Sequence, residues 1–328
     1  MKKTINPYYQ GPPSDHFDGT RFFNPGQPAT DRSLAEVLRW KRGSRPAVWP
    51  PSVPVTAALP DARVDGMRIT MVGHATLLIQ AAGLNMLTDP VWSDRASPTR
   101  FAGPRRVTAP GIVFGALPPI HVVLLSHNHY DHLDLATLKR LQAAHRPLFV
   151  MPLGNDAIVR AAVPGARIVT GDWGDAVDLG RGAEAHFVPA NHWSSRGVRD
   201  RRMVLWCGYV VRTGVGMIWF AGDTGYGDGA IFSDLRTRHG EPDISLIPIG
   251  AYEPRWFMAA QHVNPEEAVR IMLDTGTKRA IGIHWGTFQL TDEGREEPRV
   301  ALAAALAAAG VDPAAFVAGV AGGVYEIA

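Results

Sequence analysis

Cysteine is almost missing from this chain of 328 residues. Its single example, Cys207, cannot form an internal disulfide, and a cysteine zinc cluster is excluded with it. Long apolar runs are missing as well, since no stretch reaches the roughly 18 residues of a spanning helix. Excess charge is small: the net value is +2, which argues against a strongly basic nucleic-acid binder. The opening MKKTINPYYQ has lysines but no apolar core behind them, so it does not read as a secretory signal. These absences point to a cytoplasmic chain that does not bind nucleic acid. Peripheral contact with the inner face of a membrane stays open.

What is present is hydrophobic material, at 46% of residues, enough for a sizeable core. Cys207 lies in the apolar stretch MVLWCGYVV (203–211) and reads as a buried thiol. Residues 1–65 are rich in proline, glycine and aromatics. They read as an arm laid over the rest and anchored by Tyr8, Tyr9, Phe17, Phe22, Phe23, Trp40 and Trp49, with a short helix near 33–41. Residues 66–328 read as one hydrolase domain. Strands are expected at 67–72, 75–80, 84–88, 121–126, 148–151, 167–170, 184–189, 203–212, 216–221, 243–248 and 279–284. Helices are expected near 135–145, 154–161, 228–239, 265–274 and 295–309. Asp134 is placed to cap the first of these helices. Asn264, Pro265 and Glu267 form the start signal of the fourth, and Gly310 the stop of the last. Many strands interrupted by single helices predict an α/β (α+β) architecture of layered sheets with helices outside.

The run HNHYDH (127–132) follows the apolar segment VVLLS. An extended backbone turns His127, His129 and Asp131 to one side, and His132 follows just before a helical pattern. Three imidazoles and a carboxylate suit a borderline metal such as zinc. They are too many for one open catalytic ion, so two are expected. Further ligands should stand just after apolar strands. His192 after AHFVPAN, Asp223 after GMIWFAG and His284 after AIGI meet that condition. Two cations about 3.5–4 Å apart can share a hydroxide and clamp both oxygens of a displacement.

The order HxHxDH, His, Asp, His resembles the metallo-β-lactamase superfamily. More narrowly, the chain resembles the N-acyl-phosphatidylethanolamine-hydrolysing phospholipase D family, in a bacterial-type form. The matching stretches include MVGHATLLI (71–79), TDPVWSDRASP (88–98), SHNHYDHLD (126–134), AGDTGYG (221–227), IPIGAYEPRWFM (247–258), HVNPEEAVRI (262–271) and HWGTF (284–288). The resemblance implies an αββα sandwich of two mixed β-sheets flanked by helices, with a dinuclear site at one edge. It assigns His127, His129 and His192 to one zinc and Asp131, His132 and His284 to the other, with Asp223 bridging. Iron or manganese is less favoured: diiron members carry a glutamate where His129 stands, and a flavin domain besides. The implied reaction is phosphodiester hydrolysis of N-acyl-phosphatidylethanolamine-like lipids, by attack of a metal-bridging hydroxide on phosphorus. Asp131, Asp223 and His262 are its candidate catalytic residues. His262 would bond a phosphoryl oxygen or protonate the leaving group. Tyr252, Trp256, Phe257 and Met258 would grip acyl chains at the mouth. A homodimer is also implied.

Two alternatives stay open on the sequence alone. The same scaffold could hydrolyse a lactone, a β-lactam or a cyclic phosphodiester. The chain could instead be a non-catalytic, metal-dependent membrane-binding or regulatory protein. Asp89 is expected to orient a metal-bound imidazole, and the role of His74 is open. Asp94, Arg95, Arg100, Arg105 and Arg106 read as a solvated charged loop, with head-group contact as the other reading.

Overall fold

The computed structural model describes residues 5–28 and 30–327. Its strands are β1 (Met67–Gly73), β2 (Thr76–Ala81), β3 (Leu84–Thr88), β4 (Val122–Leu124), β5 (Leu148–Pro152), β6 (Arg167–Gly171), β7 (Ala176–Gly180), β8 (Ala183–Val188), β9 (Gly208–Thr213), β10 (Gly216–Phe220), β11 (Ile244–Pro248), β12 (Arg279–Ile283), β13 (Phe316–Ala318) and β14 (Val324–Ile327). Its helices are α1 (Leu34–Gly43), α2 (Leu135–Ala144), α3 (Asn155–Ala162), α4 (Ala230–His239), α5 (Arg255–Met258), α6 (Pro265–Asp274) and α7 (Glu297–Ala309).

Alternation along the strands builds three apolar layers. Leu77 and Ile79 of β2, Met86 of β3, and Val122 and Leu124 of β4 face inward. They meet Tyr209 and Val211 of β9 and Ile218 and Phe220 of β10. The residues between them point outward: Leu78, Leu87 and Val123 meet Leu138 and Leu141 of α2. On the other side Val210 and Trp219 meet Phe232 of α4, Val269 of α6 and Leu302 of α7. The result is two mixed β-sheets face to face with helices on both outer surfaces.

The first sheet runs β14-β1-β2-β3-β4-β5-β6 and the second β13-β12-β11-β10-β9-β8-β7. Each joins antiparallel strands at one end to parallel strands at the other. Loops leaving β4, β10 and β12, all in parallel pairs, therefore emerge at one edge. The helix starts are fixed locally. Asp134 accepts from the backbone N–H of Ala136 and Thr137, and Asn264 and Glu267 form a reciprocal capping box behind Pro265. Gly310 ends α7 in the left-handed conformation.

Two expectations need correction. The strand placed at 203–212 begins only at Gly208. Val204, Leu205 and Trp206 are buried outside the sheet: Leu205 and Trp206 pack against Phe17 and Phe22 of the N-terminal segment, and the N–H of Leu205 donates to the carbonyl of Leu153 just after β5. Their hydrophobicity reflects that cover and not a ladder position. The strands β7, β13 and β14 were not expected. All three lie at or near sheet edges, and their half-exposed residues give a weak alternation.

The N-terminal residues lie against the sandwich at several points. Tyr9 joins Phe17 and Phe22 over Leu205 and Trp206. Trp40 donates its indole N–H to Asp292, and Trp49 donates to the carbonyl of Glu293.

Candidate metal centre

After β4 the chain stays extended through Asn128 and then turns, with the N–H of His132 and of Leu133 both donated to the carbonyl of His129. That turn brings the four candidate ligands of HNHYDH, His127, His129, Asp131 and His132, to the sheet edge. His127 Nε2 lies 2.9 Å from His129 Nδ1, and His192 Nε2 lies 3.3 Å from the same atom. A second group gathers beside it. Asp131 Oδ2 is 3.2 Å from His284 Nε2 and 3.4 Å from His132 Nε2, with the two histidine nitrogens 3.1 Å apart. Asp223 Oδ2 reaches both groups: it is 3.1 Å from His132 and from His284, 3.7 Å from His192 and 3.9 Å from His127. His262 Nδ1 stands 3.9 Å from the same oxygen. All eight residues singled out from the sequence, His262 included, are thus brought together.

The outward nitrogens of the rings are held in place. His192 donates from Nδ1 to the carbonyl of Gln261 (2.9 Å), which turns the Nε2 lone pair into the cluster. His132 Nδ1 is bound by Asp89 at 2.6 Å, and His127 Nδ1 lies 2.9 Å from Ser126 Oγ. Asp89 also accepts from the N–H and Oγ–H of Ser126. The expected orienting role of Asp89 thus has a geometric basis. His74 binds Asp131 Oδ2 at 2.9 Å, and its ring lies 4.0 Å from that of His284. No spacing in the sequence marks that contact, and nothing but the fold could mark the carbonyl of Gln261. Backbone strain collects here too: His74, Asp89, Ala251 and His284 all take positive φ.

Burial strips the proton from His127, whose pKa is held well below the usual range with help from His132 and His129. Burial likewise takes His129 and His192 to about 3. His284 is pushed up to about 9 because Asp223 and Asp131 outweigh its burial. In His132, burial is outweighed by Asp223, Asp131 and Asp89, and the pKa stands well above the usual value. Asp131 and Asp223 stay far below the carboxylate range despite burial, because His132 and its neighbours stabilise their charge.

The residues fit divalent cations. Around a tetrahedral zinc with ligands at 2.0–2.1 Å, donor atoms stand about 3.3 Å apart, close to the spacings just given. The donors are imidazole nitrogens and carboxylate oxygens only, a set suited to zinc and to iron alike. Two ionised carboxylates buried together need positive charge beside them. Asp223 Oδ1 and His262 Nδ1 are buried polar atoms without a hydrogen-bond partner among the described residues.

A model of the β-lactamase superfamily domain matches residues 84–285. The chain belongs to the β-lactamase superfamily. It is 38% identical to an uncharacterised protein of Mycobacterium tuberculosis, over 84% of this chain and 74% of that one. It is equally 38% identical to N-acyl-phosphatidylethanolamine-hydrolyzing phospholipase D 1 of Caenorhabditis elegans, over 72% of this chain and 68% of that one. The solved metallo-β-lactamase fold protein YhfI of Bacillus subtilis superposes with a TM-score of 0.57 at 17% identity. That match covers 80% of this chain and 100% of that one, and it speaks to the fold alone. This superfamily member is a metal-dependent hydrolase.

Other expected residues of the hydrolase are spread more widely. Of the four assigned to the mouth, Trp256 is 43% exposed, whereas Tyr252, Phe257 and Met258 are buried. Arg106 is not solvated, contrary to expectation: it is buried, donates to the carbonyl of Val91 and lies 4.9 Å over the ring of Phe288. Its aliphatic stem and flat guanidinium pack as an aromatic would, and burial lowers its pKa to about 10. Arg95 and Arg100 line a cavity of about 650 Å³ with Tyr130, Asp134 and Arg196, beside the HNHYDH turn.

Proposed function

We propose that this hydrolase is a dinuclear zinc phosphodiesterase of the phospholipase D type, acting on N-acyl-phosphatidylethanolamine-like lipids. The observation that carries the dinuclear part is the position of Asp223 Oδ2, within 3.9 Å of nitrogens from both histidine groups. One oxygen with that reach suits a carboxylate shared between two ions. His127, His129 and His192 would hold one of them, and Asp131, His132 and His284 the other. The substrate class is supported by the phospholipase D relative from Caenorhabditis elegans, which shares 38% of its residues with this chain over the matched region.

Two zinc ions held there would supply Lewis acidity and a water acidic enough to react near neutral pH. The side chains supply the rest. Asp131 and Asp223 keep their charge in a buried setting and fix the spacing of the two histidine groups. His262 is kept neutral by burial, with its pKa near 3. From Nδ1, which has no hydrogen-bond partner among the described residues, it can donate a hydrogen bond to a phosphoryl or leaving-group oxygen. Trp193 packs edge-on to His129 at 4.4 Å. Trp256, which reaches solvent, is the aromatic best placed to meet an acyl chain.

The test combines elemental analysis with turnover of an N-acylated phospholipid, bis(p-nitrophenyl) phosphate and a lactone. About two zinc ions per chain and diester turnover are expected, with Asp223→Ala losing both while keeping its circular dichroism. Turnover of the lactone alone, or full diester turnover by Asp223→Ala, would overturn the proposal.

A further inference from the structure

The helix α1 is held by one side only. Trp40 packs 4.8 Å from the ring of Phe257 and bonds Asp292, and Ser44 donates to the same carboxylate at 2.6 Å. Arg32, just before the helix, donates to the carbonyl of Phe257 at 2.8 Å. Ser33 and Glu36 close a capping box at the helix start. No residue of α1 is buried, and the side turned away from these contacts is apolar and basic. Leu34 is 83% exposed and Leu38 53%, one turn apart on the same face. Lys41 and Arg42 follow in the last turn of the helix, and Arg45 stands just beyond its end.

The local charge is one-sided. Residues 32–45 hold Arg32, Arg39, Lys41, Arg42 and Arg45 against a single carboxylate, Glu36. Glu36 is taken by the cap and by Arg32, and the nearby Asp31 is taken by Arg201 and Arg202. Arg39 and Lys41 instead lie over the rings of Trp256 and Trp40, at 4.7 and 4.5 Å. Exposed leucines, an exposed tryptophan and four cations, Arg39, Lys41, Arg42 and Arg45, without acidic partners among the described residues are the makings of an interfacial helix. Such a helix places apolar side chains among acyl chains and its cations among anionic head groups.

We infer that α1, with Trp256 beside it, is a docking surface for an anionic lipid bilayer. The surface stands next to the candidate centre: α5, on which α1 rests, leads within a few residues to Gln261 and His262. The value of such docking rests on the lipid-diester reading above, but the binding itself does not depend on turnover.

The full-length protein is sedimented with vesicles of phosphatidylcholine alone and of phosphatidylcholine mixed with phosphatidylglycerol. Binding to the mixed vesicles is expected, together with its loss at high salt. Leu34→Ser/Leu38→Ser and Lys41→Glu/Arg42→Glu should each weaken it by at least about tenfold. Both variants should turn over soluble bis(p-nitrophenyl) phosphate as the parent does, which also shows that they fold. Equal binding to the two vesicle types, or parent-like binding by both variants, would overturn the inference. So would substitutions that abolish self-association in ultracentrifugation but leave vesicle binding intact, since a second copy would then be the occupant. Vesicle binding without hydrolysis of any diester would sink the functional proposal and leave the docking surface standing.

Discussion

Asp89 and His132 are locked together at 2.6 Å, carboxylate Oδ2 to imidazole Nδ1, both fully buried. Both oxygens of Asp89 are occupied, because Ser126 donates to it from backbone and side chain. Asparagine at this position would turn one acceptor into a donor facing another donor. Asp89→Asn is therefore expected to lower zinc affinity by about 10–100-fold. Competition against a chromogenic chelator measures this, and parent-like affinity would show that His132 needs no carboxylate behind it.

Removing metal should act on stability as well as on turnover. The buried Asp131 and Asp223 keep their charge, so a cation bound between them favours the folded chain. At a free concentration of about 100 times Kd the stabilisation is about 2.7 kcal/mol. Chelator-treated protein should melt at a lower temperature and recover on addition of zinc. Superimposable melting curves would count against metal binding by these residues.

Gly250 makes a sharper structural test. A Cβ there would lie 2.4 Å from the carbonyl oxygen of His284. Gly250→Ala must push the end of β12 aside, and His284 with it. A loss of about 1–3 kcal/mol is expected, together with reduced metal content. Gly115→Ala, where a Cβ meets nothing within 4 Å, is the control and should change stability by less than about 0.5 kcal/mol. Equal effects at the two positions would contradict the packing described at β12.

His16 ties the N-terminal segment to the loop that joins β6 of the first sheet to β7 of the second. It contacts Asp15 and Asp172 at 2.6 and 2.7 Å and stacks 4.5 Å from Trp173. Burial alone would lower its pKa, but Asp172 and Asp15 raise it above 6.5. A folded value above the unfolded one gives stability that is complete below 6.5 and fades as pH rises through the folded value. Denaturant unfolding at several pH values should show this decline in the parent. His16→Asn should flatten it; the same slope in both proteins would remove His16 as its source.

Helix ends were legible in the sequence because they are written within a few residues. Asp134 and the Asn264–Glu267 pair need only their own turn to act. The gathering of the candidate ligands was legible for a related reason: His127, His192, Asp223 and His284 each follow an apolar strand, and strands that run in one direction carry their following loops to one edge. Contacts made by backbone atoms or set by the packing of distant loops were not legible. The carbonyl of Gln261 has no residue type to announce it. His74 meets Asp131 only because the β1–β2 turn folds over the HNHYDH loop. Arg106 looked like a solvated charge because its cover, Phe288, arrives from far along the chain. The edge strand β14 pairs with β1, and its half-exposed VYEI carries little alternation to betray it.

Cys207 lies between the two sheets, 1% exposed, and burial raises its thiol pKa well above the ordinary value. A thiol-specific dye therefore has nothing to label while the sandwich stays closed. With no second cysteine to confuse the signal, the labelling rate becomes an intrinsic clock. Each tagged molecule records one occasion on which the layers parted.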